Sequence, residues 1–125
     1  MTLYLELEDA LEQVRYLGFH PRDLGLLDSC LSRPQTSLFG EDAYESIYLK
    51  AAALMHSVVT SHPLIDGNKR TSWALMITFL LLNDLEVVAD TDSAFDFVLS
   101  VATGKSDLPS IARWIEDHSM PASTA

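Results

Sequence analysis

The sequence of this 125-residue chain predicts an all-α fold. Apolar residues recur at intervals of three and four through most of the chain, which is the spacing of one helix face. Alternating runs of strand-forming residues are nearly absent, and most of the Gly and Pro residues fall between the helical segments. The length fits one domain, and 48% hydrophobic residues supply its core. We expect this domain over residues 1–118 and a flexible tail over residues 119–125, which lack apolar periodicity.

The first third of the chain predicts two helices and a loop. A helical apolar pattern runs from Leu3 to Leu17 and ends at Gly18, because glycine is the preferred residue just after a helix. A second helix is predicted from Leu24 and stops before Pro34, since the residue preceding a proline avoids the helical conformation. The segment from Pro34 to Gly40 has no periodicity and is predicted to be irregular.

The remaining two thirds predict four more helices. A long helix is expected from Glu41 to about Ser61, and the most apolar one, from Lys69 to Asn83, is predicted to lie at the centre of a compact bundle. A short extended piece at Glu86–Ala89 follows. Helices at Ser93–Ala102 and Leu108–Asp117 complete the fold.

Charge and composition restrict the partners. The formal net charge is −10, whereas a nucleic-acid-binding surface needs clustered Lys and Arg. No apolar run approaches the roughly 20 residues of a membrane span. The acidic N-terminus, with Glu6 and Glu8, argues against a signal peptide. Cys30 is the single cysteine, so no internal disulfide is expected. These features predict a cytoplasmic protein that binds neither nucleic acid nor membrane.

The segment 62–70, which reads His-Pro-Leu-Ile-Asp-Gly-Asn-Lys-Arg, places ionisable groups where the most apolar helix begins. Anions bind at this end of a helix, because its first N–H groups are unpaired and its dipole is positive there. Lys69 and Arg70 add two cations at this positive end of the helix dipole, where cations are unfavourable unless an anion binds there. Asp66 is suited to Mg²⁺, which prefers one or two carboxylates and phosphate oxygens. His62 can accept a proton near neutral pH, so the segment predicts a phosphate-handling enzyme.

Ordinary structural explanations compete with these roles. Asp66 and Asn68 are both good helix N-caps, and Gly67 suits any turn that requires a positive φ. His62 alone would more often be a turn residue. Trp73 is expected in the core or in a pocket wall.

The segment 62–70 also resembles the signature of the Fic/Doc family, His-Pro-Phe-x-Asp/Glu-Gly-Asn-Gly/Lys-Arg. The Phe position alone differs, and Leu64 keeps it apolar. The flanks resemble the family as well at 24–37, 50–54 and 79–83, so the likeness covers residues 23–115. It implies a Fic-type helical bundle with a short flap before the active site.

Within that family the chain resembles the death-on-curing toxins. AMP-transferring Fic enzymes usually have Gly at the position of Lys69 and a second Arg at the position of Trp73. Death-on-curing toxins have Lys in the turn and lack that Arg. They are protein kinases that phosphorylate a threonine of elongation factor Tu and halt translation, and an antitoxin inhibits them in trans. The resemblance therefore implies ATP, Mg²⁺, elongation factor Tu and a cognate antitoxin as ligands and partners.

The resemblance also implies a role for each matching residue. His62 is the general base and Asp66 holds the metal, while Lys69 and Arg70 neutralise charge during transfer. The nucleotide phosphates are bound by Gly67, Asn68, Lys69 and Arg70. The flap that aligns the target peptide by strand-like pairing comprises Arg33, Pro34, Gln35, Thr36 and Ser37.

Two other functions remain open. A nucleotidyl transferase of the same family would transfer AMP to a hydroxyl group. A non-catalytic module would keep the fold and only bind a partner.

Overall fold

The computed structural model describes residues 1–123, and within them six helices form the bulk of the fold. The expectation of a mostly helical bundle is confirmed. The helices are α1 (Leu7–Tyr16), α2 (Leu24–Ser32), α3 (Ile47–Ser61), α4 (Asn68–Leu82), α5 (Thr91–Ala102) and α6 (Leu108–Asp117). A 3₁₀ turn (Arg33–Gln35) follows α2. Two antiparallel pairs of short strands join β1 (Ser37–Leu38) to β2 (Glu41–Asp42) and β3 (Leu85–Val87) to β4 (Ser119–Pro121).

The core lies between α3 and α4, which pack along each other. Every residue of α3 from Ala51 to Met55 is buried, so α3 is as central as α4, the helix that the sequence placed there. Helices α2, α5 and α6 pack around α3, and the α4 side chains Leu75 and Phe79 fill the space between. None of the described helices is long and apolar enough to cross a membrane.

Helix α3 begins at Ile47 and not at Glu41, as the sequence had suggested. The Ser46 side chain accepts a hydrogen bond from the N–H of Leu49, at 3.0 Å, and so caps the helix there. The residues before it form the β1–β2 hairpin, because Phe39 and Gly40 both have positive φ, of 54° and 82°. Two consecutive residues with positive φ form a two-residue hairpin turn, whose twist matches that of the two strands it joins.

The segment after α6 is an ordered strand where the sequence had suggested a flexible tail over 119–125. Val87 is paired with Ser119 and Leu85 with Pro121 across β3 and β4. The N–H of Val88 donates to the carbonyl of His118, at 2.7 Å, and extends this pairing. Backbone hydrogen bonds order the segment although its side chains have no apolar periodicity. Residues 124 and 125 lie outside the described part of the chain.

Candidate active site

The connection between α3 and α4 is a turn whose two ends have left-handed backbone conformations. His62, which ends α3, has φ 52°, and Gly67, which precedes α4, has φ 78°. Between them Leu64 is buried, with 1% of its surface exposed, and anchors the turn in the protein. This arrangement brings the end of one core helix and the start of the other to the same place on the surface.

A segment before α2 braces this turn from outside. The N–H groups of Arg22 and Asp23 donate to the carbonyl of Pro63, at 2.7 and 3.1 Å, and the N–H of Ile65 donates to the carbonyl of His20, at 3.0 Å. These bonds order the turn from a part of the chain about 40 residues away.

The Arg22 side chain holds the end of α3 directly. Its Nε donates to the carbonyl of His62, at 2.8 Å, and its Nη2 to the carbonyl of Ser61, at 3.1 Å. The last carbonyls of a helix have no partner within it, and a cation is favourable at this negative end of the dipole. Sequence reasoning missed this residue, since nothing in the local pattern shows which carbonyls an arginine will reach.

Gly67 is required for two reasons. Its φ of 78° is a conformation that other residues adopt only with strain. The ring of Phe19 lies so close to its Cα that a Cβ at this position would overlap the ring. The close approach of Phe19 fixes the start of α4 against the bracing segment.

The predicted site residues come together in one cavity of about 490 Å³. Those lining it are His62, Asp66, Gly67, Asn68, Lys69 and Arg70, with Val59, Ile65 and Ala102 forming the apolar walls. The side chains of His62, Asp66, Lys69 and Arg70 are exposed to solvent. An imidazole, a carboxylate and two cations therefore line a space that a ligand can enter.

The electrostatics of the cavity favour an anion. Within residues 1–123 the one ion pair joins Lys50 to Asp42, so neither Lys69 nor Arg70 is neutralised by a described carboxylate. Both cations lie in the first turn of α4, where the helix dipole adds further positive potential. Phosphate groups match this field and the first N–H groups of α4, which have no partner within the helix.

Among the described residues, Asp66 is the one carboxylate that lines the cavity. Its Oδ1 accepts a hydrogen bond from the N–H of Gly67, at 2.8 Å, which fixes the orientation of the carboxylate. The described residues contain no group of three metal-ligating side chains. A single carboxylate fits Mg²⁺, which keeps several waters and takes its other ligands from phosphate oxygens.

An apolar groove of about 480 Å³ adjoins the cavity, and Lys69 and Arg70 line both. Its other walls come from α4 and α5 and are Trp73, Thr91, Ala94, Phe95, Val98 and Leu99. Trp73 is half-buried and meets the rings of Phe97 and Trp114 edge-on. It is both a core residue and a pocket wall.

The predicted flap residues divide into two groups. Pro34 is buried and Arg33 half-buried, and the Arg33 side chain is directed at α3. Gln35, Thr36 and Ser37 are exposed and lead into the β1–β2 hairpin, at whose tip Leu38 and Phe39 are exposed as well. The first group therefore anchors this segment, while the hairpin offers the exposed backbone and side chains. That the hairpin docks a target protein stays a prediction.

Comparison with known proteins extends the likeness beyond the site. Residues 2–80 match the sequence profile of the Fic/DOC family. The chain is 43% identical over 129 aligned positions to Toxin Doc of Mycolicibacterium smegmatis, and the alignment covers 99% of each protein. A shorter match is 34% identical over 70 residues to Glycogenin of Neurospora crassa and covers 56% of this chain but 10% of that protein.

Proposed function

Because this chain belongs to the Fic/DOC family, we propose that it is a toxin that transfers the γ-phosphate of ATP to a Ser or Thr hydroxyl of a target protein. The observation that carries the proposal is the cavity at the start of α4, which His62, Asp66, Lys69 and Arg70 line together. Full-length similarity to a protein named Toxin Doc supports the toxin assignment.

In the proposed reaction the chain supplies the base and the anion site. His62 takes the proton of the target hydroxyl, whose oxygen bonds to the γ-phosphorus while the bond from that phosphorus to the β–γ bridging oxygen breaks. ADP leaves with the bridging oxygen. Lys69 and Arg70 neutralise the phosphate charge, Arg with a two-pronged donor set. Asp66 would hold Mg²⁺, which when bound neutralises further charge on the phosphates.

The adjoining groove favours phosphoryl transfer over the second candidate, AMP transfer. In AMP transfer the β- and γ-phosphates form the leaving group, and positive charge beyond Arg70 would be needed to hold them. At that place the groove presents Trp73, Phe95, Val98 and Leu99 instead. This distribution suits a nucleotide that binds with its γ-phosphate among the charged residues and its base in the groove.

By family resemblance the proposed target is elongation factor Tu, and its phosphorylation would stop translation in the cytoplasm. The proposed regulator is a cognate antitoxin that acts in trans. A segment folding on the groove between α4 and α5 would find exposed apolar anchors in Phe95 and Leu99 and would cover Lys69 and Arg70. Co-expression with the neighbouring gene should therefore relieve toxicity, and toxicity that persists would reject this regulator.

Intact-mass spectrometry of elongation factor Tu, after incubation with this protein, ATP and Mg²⁺, tests the activity. A gain of one phosphate group is expected, and a gain of one AMP group would select the alternative reaction. His62→Ala should lower the rate of phosphate transfer by a factor of about 10²–10⁴. His20→Ala is the matched control, because His20 contributes only its backbone carbonyl to the turn.

No mass change in elongation factor Tu would reject that target, and labelling of a whole lysate with γ-labelled ATP would then search for another. If no protein in the lysate is labelled, the kinase proposal fails. Binding of a partner without any nucleotide binding by calorimetry would favour the non-catalytic module.

A further inference from the structure

A buried lysine lies beneath the β1–β2 hairpin. Lys50, on α3, has 2% of its surface exposed, and its Nζ lies 3.0 Å from Oδ2 of Asp42 on β2. The same ammonium group donates to the backbone carbonyl of Tyr44. A buried charge is costly unless it is paired and hydrogen-bonded. The partners that satisfy Lys50 come from the hairpin and the residues that follow it.

Arg33 makes a second connection at the other end of the hairpin. Its Nε donates to the hydroxyl of Tyr44, at 2.9 Å, and its guanidinium carbon lies 5.6 Å from the centre of that ring. Its Nη1 reaches Oγ of Ser57 and Nδ1 of His56 on α3, both at 2.9 Å. Arg33 therefore ties the entrance of the hairpin and Tyr44 to the same helix as Lys50.

The two cations meet at Tyr44, which follows the hairpin in the chain. Lys50 holds its carbonyl and Arg33 holds its hydroxyl. The N–H of Ala43 donates to the carbonyl of Thr36, at 2.8 Å, which continues the strand pairing towards the base of the hairpin. Both ends of the hairpin are thus attached to α3, while its tip at Phe39 is exposed.

Helix α3 links these attachments to the proposed base. Lys50 and Ser57 are seven residues apart, which places them on one face of the helix. His62 ends the helix five residues after Ser57, about 7.5 Å further at 1.5 Å per residue. Because α3 is a continuous helix that is buried along most of its length, a hairpin attached to it has a defined position relative to His62.

We propose that Lys50 and Arg33 are positioning residues, which hold the hairpin so that a target segment docked on it presents its hydroxyl to His62. This inference rests on the proposed function, because it assumes a protein target. A purely structural role would affect stability alone. A positioning role affects the apparent affinity for the protein target and leaves the ATP site unchanged.

The test uses Lys50→Met and Asp42→Ala, which remove either partner of the ion pair, and Arg33→Lys, which keeps the charge but loses the planar fork. Because Asp42 is exposed on the hairpin, Asp42→Ala leaves the core packing intact, and the Lys50 ammonium keeps its hydrogen bond to the carbonyl of Tyr44. Glu45→Ala is the matched control, because Glu45 carries the same charge nearby and forms no ion pair with residues 1–123.

Four quantities are measured on each variant. Amide hydrogen exchange across residues 36–43 should become about tenfold faster when a charge-assisted contact is lost. The KM for the protein target should rise by a similar factor of about ten, with kcat at saturating target within about twofold. ATP affinity by calorimetry should equal that of the wild type and of Glu45→Ala.

Unchanged hairpin exchange in both Lys50→Met and Asp42→Ala would overturn the anchoring. Faster exchange with an unchanged target KM would overturn the positioning role while leaving the kinase proposal intact. A wild-type protein that transfers phosphate to no protein in a lysate would instead reject the proposed function, and the positioning role with it.

Discussion

Asn68 closes the turn between α3 and α4 by hydrogen bonding to both backbone polar groups of Leu64. Its Oδ1 accepts from the N–H of Leu64, at 3.0 Å, and its Nδ2 donates to the carbonyl of the same residue, at 3.1 Å. A carboxamide is suited to this pairing, since it offers one acceptor and one donor in a plane. The first residue of α4 therefore fixes the shape of the turn that carries His62 and Asp66. One amide hydrogen of Asn68 stays available, so its predicted phosphate contact is compatible with this geometry.

Asn68→Asp should lower the free energy of unfolding by about 1–3 kcal/mol, because the carboxylate keeps the acceptor but leaves the carbonyl of Leu64 without its donor. Urea denaturation measures this change. Asn83→Asp is the matched control, since Asn83 binds the N–H and carbonyl of Leu3 in the same way, both at 2.8 Å, far from the cavity. Only the Asn68 variant should also weaken ATP binding. Equal ATP affinity in the two variants would contradict a link between this pairing and the site.

Gly67→Ala should be more destabilising than a glycine substitution with the same backbone cost. The alanine must keep the positive φ of Gly67, and its methyl group must also displace the ring of Phe19. Gly104→Ala isolates the first effect, because Gly104 has φ 75° and nothing within 4 Å of an added Cβ. The difference between the two unfolding free energies is expected to be about 1–3 kcal/mol. Comparable losses would mean that Phe19 moves aside freely.

The sequence predicted the helices well, because they depend on local patterns, and the residues it singled out in 62–70 line one cavity. Apolar spacing identified α4, and the charges in 62–70 predicted an anion site at its start, which stays a prediction. The start of α3 was misplaced by six residues. The local sequence at Glu41–Asp42 is compatible with a helix, and only the turn at Phe39–Gly40 places these residues in a strand. Strand β4 was missed because backbone pairing with β3, and not side-chain pattern, orders it.

The residues that support the site were harder to predict. Arg22, Phe19 and Lys50 all act across contacts between distant parts of the chain, and a sequence pattern does not record such contacts. Lys50 had been seen only as part of a segment similar to the family. Its burial depends on Asp42, which lies in the stretch that was assigned to the wrong element.

The contact between Arg33 and His56 predicts a pH dependence of stability. Arg33 only donates, so Nδ1 of His56 must accept and the ring must be neutral. Burial, and then the charge of Arg33, lower the pKa of His56 below its ordinary 6.5. The unfolded chain therefore takes up a proton near pH 6.5 that the folded chain does not, and the contribution of His56 to stability falls as the pH drops below that value.

His56→Gln should remove this part of the dependence, because the Gln side chain offers an acceptor that does not titrate. Urea midpoints of both proteins between about pH 7.5 and about pH 5 measure it. The lowered pKa values of Asp90 and Asp107, caused by hydrogen bonds from Ser93 and Ser110, act only below about 3.8 and do not interfere. Parallel curves for wild type and variant would show that His56 is not the titrating group.

Arg22 is expected to affect turnover more than nucleotide binding. Arg22→Lys keeps the positive charge at the end of α3, but an ammonium group has no fork to hold the carbonyls of Ser61 and His62 at once. The backbone of His62 should then shift, and a small misplacement of a base lowers kcat by about ten- to a hundredfold. Steady-state kinetics with calorimetric ATP binding separate the two effects. Arg15→Lys, at the end of α1, is the control for the same substitution away from the site. A loss of ATP affinity equal to the loss of kcat would show that Arg22 supports the whole cavity and not the orientation of the base.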